Sequence, residues 1–168
     1  MRLSGTEPPV LVIGIGNPLR EDDGVGPAAA RRLAALLPAD LCRVLTPLQL
    51  LPELADPMSR DALIVFIDAS RGGPAGQIEC HELTAADIRF PGDVPRRPLS
   101  HHLDPAMLLA LTAGLFGRSP RAVLFSVRTN SFGFSTRLTP ASADALDELV
   151  ARAAATIRSS NDAVAGEC

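Results

Sequence analysis

Three apolar runs constrain this chain most: Val10-Leu11-Val12-Ile13 and Leu63-Ile64-Val65-Phe66-Ile67, both unbroken, and Ala122 to Val127, interrupted only by Ser126. A segment apolar at every position, rather than at every second one, suits a strand covered on both faces, as in a parallel sheet flanked by helices. Between these runs the apolar spacing changes to the helical period. Val25, Ala29, Leu33 and Leu36 share one helix face, with Pro27 in the first turn and Pro38 as the stop. Leu48, Leu51 and Leu54 mark a second helix, with Pro52 inside its first turn or so. Leu103, Met107, Leu108 and Leu111 mark a third, with Asp104 and Pro105 at its start and Gly114 and Gly117 ending it. A closing helix carries Leu146, Leu149, Val150, Ala153 and Ile157 behind a Thr139 N-cap and Pro140. Leu41 to Leu45 reads as a short strand, and the alternation from Gln77 to Leu83 reads as a half-exposed edge strand.

Strands alternating with helices predict an α/β fold: a three-layer α/β/α sandwich around a mostly parallel, twisted sheet of about five strands, with one antiparallel edge strand. Right-handed crossovers place the Leu41–Leu45 strand on one side of the first strand and the Leu63–Ile67 strand on the other, if the winding reverses there. A chain of 168 residues, 46% hydrophobic and 21% charged, fits one globular domain. We expect that domain over residues 1–158, with residues 159–168, which show no pattern, as a frayed tail.

Composition also narrows the function. A net charge of −3, six Phe and no Trp or Tyr offer neither a basic face nor stacking platforms, so no nucleic-acid partner is expected. No run reaches the length of a membrane span, so no membrane insertion is expected either. The first nine residues lack an apolar signal region, and Cys42, Cys80 and Cys168 are widely spaced with no C-x-x-C pair. Together these predict a reducing, cytoplasmic setting.

Gly14 to Gly26 lies between the first strand and the first helix, and it holds three consecutive acids, Glu21, Asp22 and Asp23. One acid there serves as a helix cap or dipole partner. Three repel one another unless a cation sits among them, so a cation site stands beside the capping reading. The dinucleotide fingerprint fails, because Leu19 occupies the place of its third glycine and the acids oppose a pyrophosphate. Gly16 and Asn17 either allow a tight turn with positive φ or offer backbone N–H groups to a substrate carbonyl. Asp68 is presented where the Leu63–Ile67 strand ends, and a winding reversal brings it into one crevice with Asp22 and Asp23. A Pro- and Arg-rich loop from Phe90 to Pro98 delivers Ser100-His101-His102. Carboxylates with imidazole and no sulfur suit nickel, zinc or manganese. His81 and the Arg96-Arg97 pair read as solvated, and Cys42 as core packing. No serine or cysteine stands in a nucleophile setting.

The stretch Gly14-x-Gly-Asn-x-Leu-x-x-Asp-Asp-Gly-x-Gly26 resembles the signature of the hydrogenase maturation proteases. The resemblance extends to Phe66-Ile-Asp68-Ala, to Ser100-His101 and to Leu138-Thr-Pro140, four motifs in the same order over nearly the whole chain. It implies an aspartic-type endopeptidase that removes a C-terminal extension from the large-subunit precursor of a [NiFe]-hydrogenase after nickel insertion. It also implies Asp23, Asp68 and His101 as the catalytic, metal-contacting residues, with Gly16, Asn17 and Asp22 supporting the loop. The first ligand is often Glu in that family and is Asp here. An incomplete ligand set fits nickel supplied by the substrate rather than resident, with another divalent ion as a possible substitute. Cleavage by metal-activated water and by carboxylate acid/base action both stay open. Two other functions use the same crevice: a metal-dependent hydrolase of small molecules, and a non-catalytic hydrogenase assembly chaperone.

Overall fold

The computed structural model describes residues 10–84 and 103–165, with side chains to residue 161. Five strands, β1 (Val10–Gly14), β2 (Cys42–Leu45), β3 (Leu63–Arg71), β4 (Ile78–Leu83) and β5 (Arg121–Thr129), form one sheet in the order β2-β1-β3-β5-β4. β1 runs parallel to β2 and β3, β3 runs parallel to β5, and β4 pairs antiparallel with β5. All of β1 and the first five residues of β3 are buried, as their continuous apolar runs require. β2 and β3 lie on opposite sides of β1, so the winding reverses there and opens a crevice at the strand ends.

The helices are α1 (Val25–Leu36), α2 (Ala55–Met58), α3 (Pro105–Phe116) and α4 (Pro140–Ala165). Alternate residues of β1 and β3 enter different cores, as the two-residue period of a strand dictates. Val10, Val12, Val65 and Ile67 pack with Ala29 and Leu33 of α1 and Leu149, Ala153 and Ile157 of α4. Leu11, Ile13, Ile64 and Phe66 pack on the other face with Met58 of α2 and Leu108 and Leu109 of α3. This is the three-layer α/β/α arrangement.

Several boundaries differ from the sequence reading. The helix expected from Leu48 is a 3-10 turn at Pro52–Leu54 leading into a four-residue α2, and Leu48 is exposed. Pro52 is the cause: it holds Leu51 extended (φ −128°, ψ 151°), so no helix can run through that position. In α1 the buried stripe passes from Leu33 to Leu37 and leaves Leu36 exposed. In α3 the buried positions are Ala106, Leu108, Leu109 and Thr112 rather than Met107 and Leu111. Asp104 caps α3 by accepting from the Met107 N–H at 2.7 Å, and Gly117 ends it at φ 65°. The expected tail from Ser159 instead continues α4 to Ala165, since nothing in that stretch breaks a helix.

Candidate functional site

The crevice is made by one strand outrunning its neighbour. β1 stops at Gly14, opposite Ile67, whereas β3 continues to Arg71 alongside β5. Ile15 makes the last link, its N–H donating to the Ile67 carbonyl at 2.8 Å. Asp68 is therefore interior to β3 rather than at its end, and it is the first residue of β3 whose β1 side is open. Its position in the strand puts it on the Phe66 face, toward α3. A cleft of roughly 580 Å³ opens there, lined by Asp23 and Asp68 together with Gly16, Asn17, Arg20, Leu48, Gln49 and Asp104.

The three consecutive acids divide three tasks among them. Glu21 to Gly24 form a 3-10 turn, and with about three residues per turn successive side chains point about 120° apart. The Glu21 carboxylate accepts from the Ser131 hydroxyl and from the Gly133 N–H at 3.0 Å. Asp22 is fully buried and accepts from the Thr129 hydroxyl at 2.5 Å, the Thr139 N–H at 2.7 Å and the Thr139 hydroxyl at 2.7 Å. Burial pushes the Asp22 carboxyl up, but the hydrogen bonds from Thr129 and Thr139 outweigh it and hold the group below its ordinary value. The buried Ser142 hydroxyl approaches it too, without completing a hydrogen bond. The triplet thus needs no shared cation, because each carboxylate has its own surroundings. Asp22 also caps neither its own turn nor α1; it ties the end of β5 to the start of α4.

Asp23 alone of the three faces the cleft. One of its oxygens accepts from the Asn17 N–H at 2.8 Å, and its own N–H donates to the Arg20 carbonyl at 3.1 Å. Gly16 permits this closure: at φ 137° a Cβ would stand 1.9 Å from the Asp23 carbonyl oxygen. Positive φ is confined to Gly16 in the Gly14–Asn17 loop; Gly14 is there for close approach, a Cβ on it meeting the Gly26 carbonyl at 2.4 Å. The Gly16 N–H donates to the Pro47 carbonyl at 3.1 Å and the Asn17 N–H to Asp23. Both donors are committed, which overturns the reading that they await a substrate carbonyl.

Asp68 is the most perturbed carboxyl of the site. Burial, opposed by a 2.8 Å hydrogen bond from the Ala69 N–H and aided by the nearby Asp23 charge, raises it to about 7. At neutral pH a carboxyl raised this far keeps its proton in about half of the molecules, a state suited to proton transfer or to taking up a cation in exchange for that proton. Among the described residues the second oxygens of Asp23 and Asp68 accept no hydrogen bond and are free to act as ligands. No group of three His, Cys, Asp or Glu side chains converges among the described residues. His101 and His102 lie outside them, as do Ser100, the Arg96-Arg97 pair, the Phe90–Pro98 loop and Cys168. His81 is exposed on β4 beside Glu79, and Cys42 is buried in the core, as read from the sequence. Burial raises both the Cys42 and Cys80 thiols, away from the thiolate a nucleophile needs. Arg20, Gln49 and Asp104 line the cleft without having been singled out by the sequence; their place follows from where β2 and α3 meet the ends of β1 and β3.

Scans against protein-family models and against the curated proteins found no match. Solved structures do match over nearly the whole chain. The [NiFe] hydrogenase maturation protease HycI from Thermococcus kodakarensis superposes with a TM-score of 0.68 at 21% identity, covering 92% of this chain and 95% of that one. The hydrogenase maturating endopeptidase HybD from E. coli gives 0.72 at 22% identity, covering 90% and 93%. The hydrogenase 2 maturation peptidase from a Thaumarchaeota archaeon gives 0.63 at 19%, covering 88% and 97%. The chain has their fold. Coverage this even means that the sheet and its flanking helices belong to one shared architecture.

Proposed function

We propose that this protein is an endopeptidase that removes the C-terminal extension of a [NiFe]-hydrogenase large-subunit precursor after nickel has been inserted. The observation that carries the reading is the pairing of Asp23 with Asp68 in the cleft at the sheet reversal, with Asp68 raised to about 7. The fold shared with HycI and HybD supports it, and so do the four ordered sequence motifs. In this reading the nickel is part of the substrate. It arrives held by the precursor's own thiolates, and Asp23, Asp68 and His101 contact it to complete recognition. A nickel-free precursor lacks the cation that offsets the two carboxylates, so specificity is a difference in affinity between loaded and empty substrate. Peptide hydrolysis then adds water across the scissile bond by one of two routes: water activated by the metal that Asp23 and Asp68 contact, or acid/base action of the two carboxyls where Asp68 keeps its proton and is no ligand.

Asp23→Ala, Asp68→Ala and His101→Ala should each reduce processing of nickel-loaded precursor by 100-fold or more, on the order seen when an acid/base or charge-stabilising group is removed. Each variant should stay folded under assay conditions, with Asp68→Ala no less stable than the unmodified protein at neutral pH, because a buried carboxyl that resists ionisation is removed. Normal processing by all three variants would sink the proposal. A precursor bound tightly but left at unchanged mass by the unmodified protein would favour an assembly chaperone instead.

A further inference from the structure

Phe134 is 98% exposed, Leu48 65% and Leu19 60%. These residues stand on the loops that leave β5, β2 and β1, three mutually parallel strands, so all lie at the end of the sheet that holds Asp23 and Asp68. The Phe134 loop is firmly fastened. Glu21 binds Ser131 and Gly133, the Ser135 N–H donates to the Leu19 carbonyl at 3.1 Å, and the Glu21 N–H donates to the Ser135 carbonyl at 2.9 Å. The Arg71 guanidinium stacks 4.1 Å from the centre of the Phe132 ring. Glu21 adopts φ 49° to make these links, a left-handed conformation that is costly for a residue other than glycine and tends to occur at functional sites. Phe132 is thereby partly covered while Phe134 projects into solvent from a rigid loop. The patch is continuous with the cleft: Leu48 and Arg20 line it, and Arg20 reaches the Phe132 carbonyl at 3.5 Å.

We infer that Phe134, Leu19 and Leu48 form a docking rim for the folded body of the protein whose scissile segment enters the cleft. The inference rests on the protease reading and adds the surface by which a whole protein, rather than a short peptide, is held. An aromatic side chain carried on a backbone already fastened has only its own two side-chain torsions to lose on docking, which suits an interface anchor. Its fastening through Glu21 to the turn that carries Asp23 sets the docked body at a fixed offset from the two carboxylates.

The test is steady-state processing of nickel-loaded precursor by the unmodified protein, Phe134→Ser, Leu19→Ser and a control, Leu115→Ser. Leu115 is 64% exposed near the far end of α3, which begins at the cleft and runs for about 18 Å. Phe134→Ser should raise KM about tenfold, the size of an interface anchor's loss, with kcat and unfolding temperature unchanged. The control should leave KM alone. An unchanged KM for Phe134→Ser overturns the rim, as does an equal rise for Leu115→Ser. A dimer that Phe134→Ser converts to monomer also overturns it, assigning the patch to a second copy of this chain. Failure of the unmodified protein to process precursor rejects the protease reading and the rim together, whereas processing with an unchanged KM rejects the rim alone.

Discussion

Asp68 and Asp22 show how two carboxyls in one small region are driven in opposite directions. Asp68 is raised to about 7, chiefly by burial. Below the ordinary carboxylate value of 3.8 the folded and unfolded chains both hold its proton. Between 3.8 and about 7 the unfolded chain has lost it and the folded chain keeps it, so this group makes stability fall as pH rises through that window. Carboxyl NMR of the metal-free protein should therefore show an Asp68 midpoint near 7. Asp23→Asn should lower that midpoint without restoring the ordinary value, because burial is the larger cause and stays. A midpoint near 4 in the unmodified protein would contradict this picture. Asp22 behaves in the opposite sense: its lowered carboxyl contributes stability above the ordinary value that is lost as pH falls through the folded one. Asp22→Asn turns an amide donor toward the Thr129 and Thr139 donors and should cost about 2–4 kcal/mol in urea unfolding.

At the level of elements, the crevice depends on α1 lying close against β1 and β3. Gly26 makes that contact, since a Cβ there would stand 2.3 Å from the Ile15 carbonyl oxygen and 2.5 Å from that of Ile67. Backbone atoms on both sides cannot give way, so Gly26→Ala should lift the helix and cost more than about 3 kcal/mol. Gly114, within α3, has open space where its Cβ would be. Gly114→Ala should stabilise the protein by about 0.5–1 kcal/mol through helix propensity and a less flexible unfolded chain. Thermal unfolding of the two variants side by side checks both signs. α3 itself was legible from Asp104-Pro105 at its start and Gly117 at its end, because caps are local chemistry. The short α2 was not, because Leu48, Leu51 and Leu54 keep helical spacing through a stretch where Pro52 forbids the helix.

For the whole molecule, the sheet could be read from the sequence because continuous burial and crossover handedness act over the entire chain. The three apolar runs are the three central strands, and the reversal at β1, which the sequence leaves as a condition, is met by β2 and β3 lying on opposite sides of it. With that reversal the Asp22-Asp23 loop comes beside Asp68, and it is the family resemblance that singles out Asp23 of the two. The division of labour within Glu21-Asp22-Asp23 was not legible. Like-charge repulsion between sequence neighbours assumes that they share a space, and the 3-10 turn sends them to Ser131, to Thr129 and Thr139, and to the cleft. Nor was the overhang of β3 past β1, since a strand's length is set by its partners: Ser70 and Arg71 stay in the strand through their pairing with Arg128 and Thr129 of β5.

The central claim concerns what the Asp23 and Asp68 crevice recognises, and intact-mass spectrometry reads it directly. A candidate large-subunit precursor is incubated with this protein in two forms, one loaded with nickel and one nickel-free, and the mass of each is followed over time. Loss of the C-terminal extension from the loaded form alone, with the nickel-free form unchanged, is the expected result. Equal cleavage of both forms, or of neither, would contradict it.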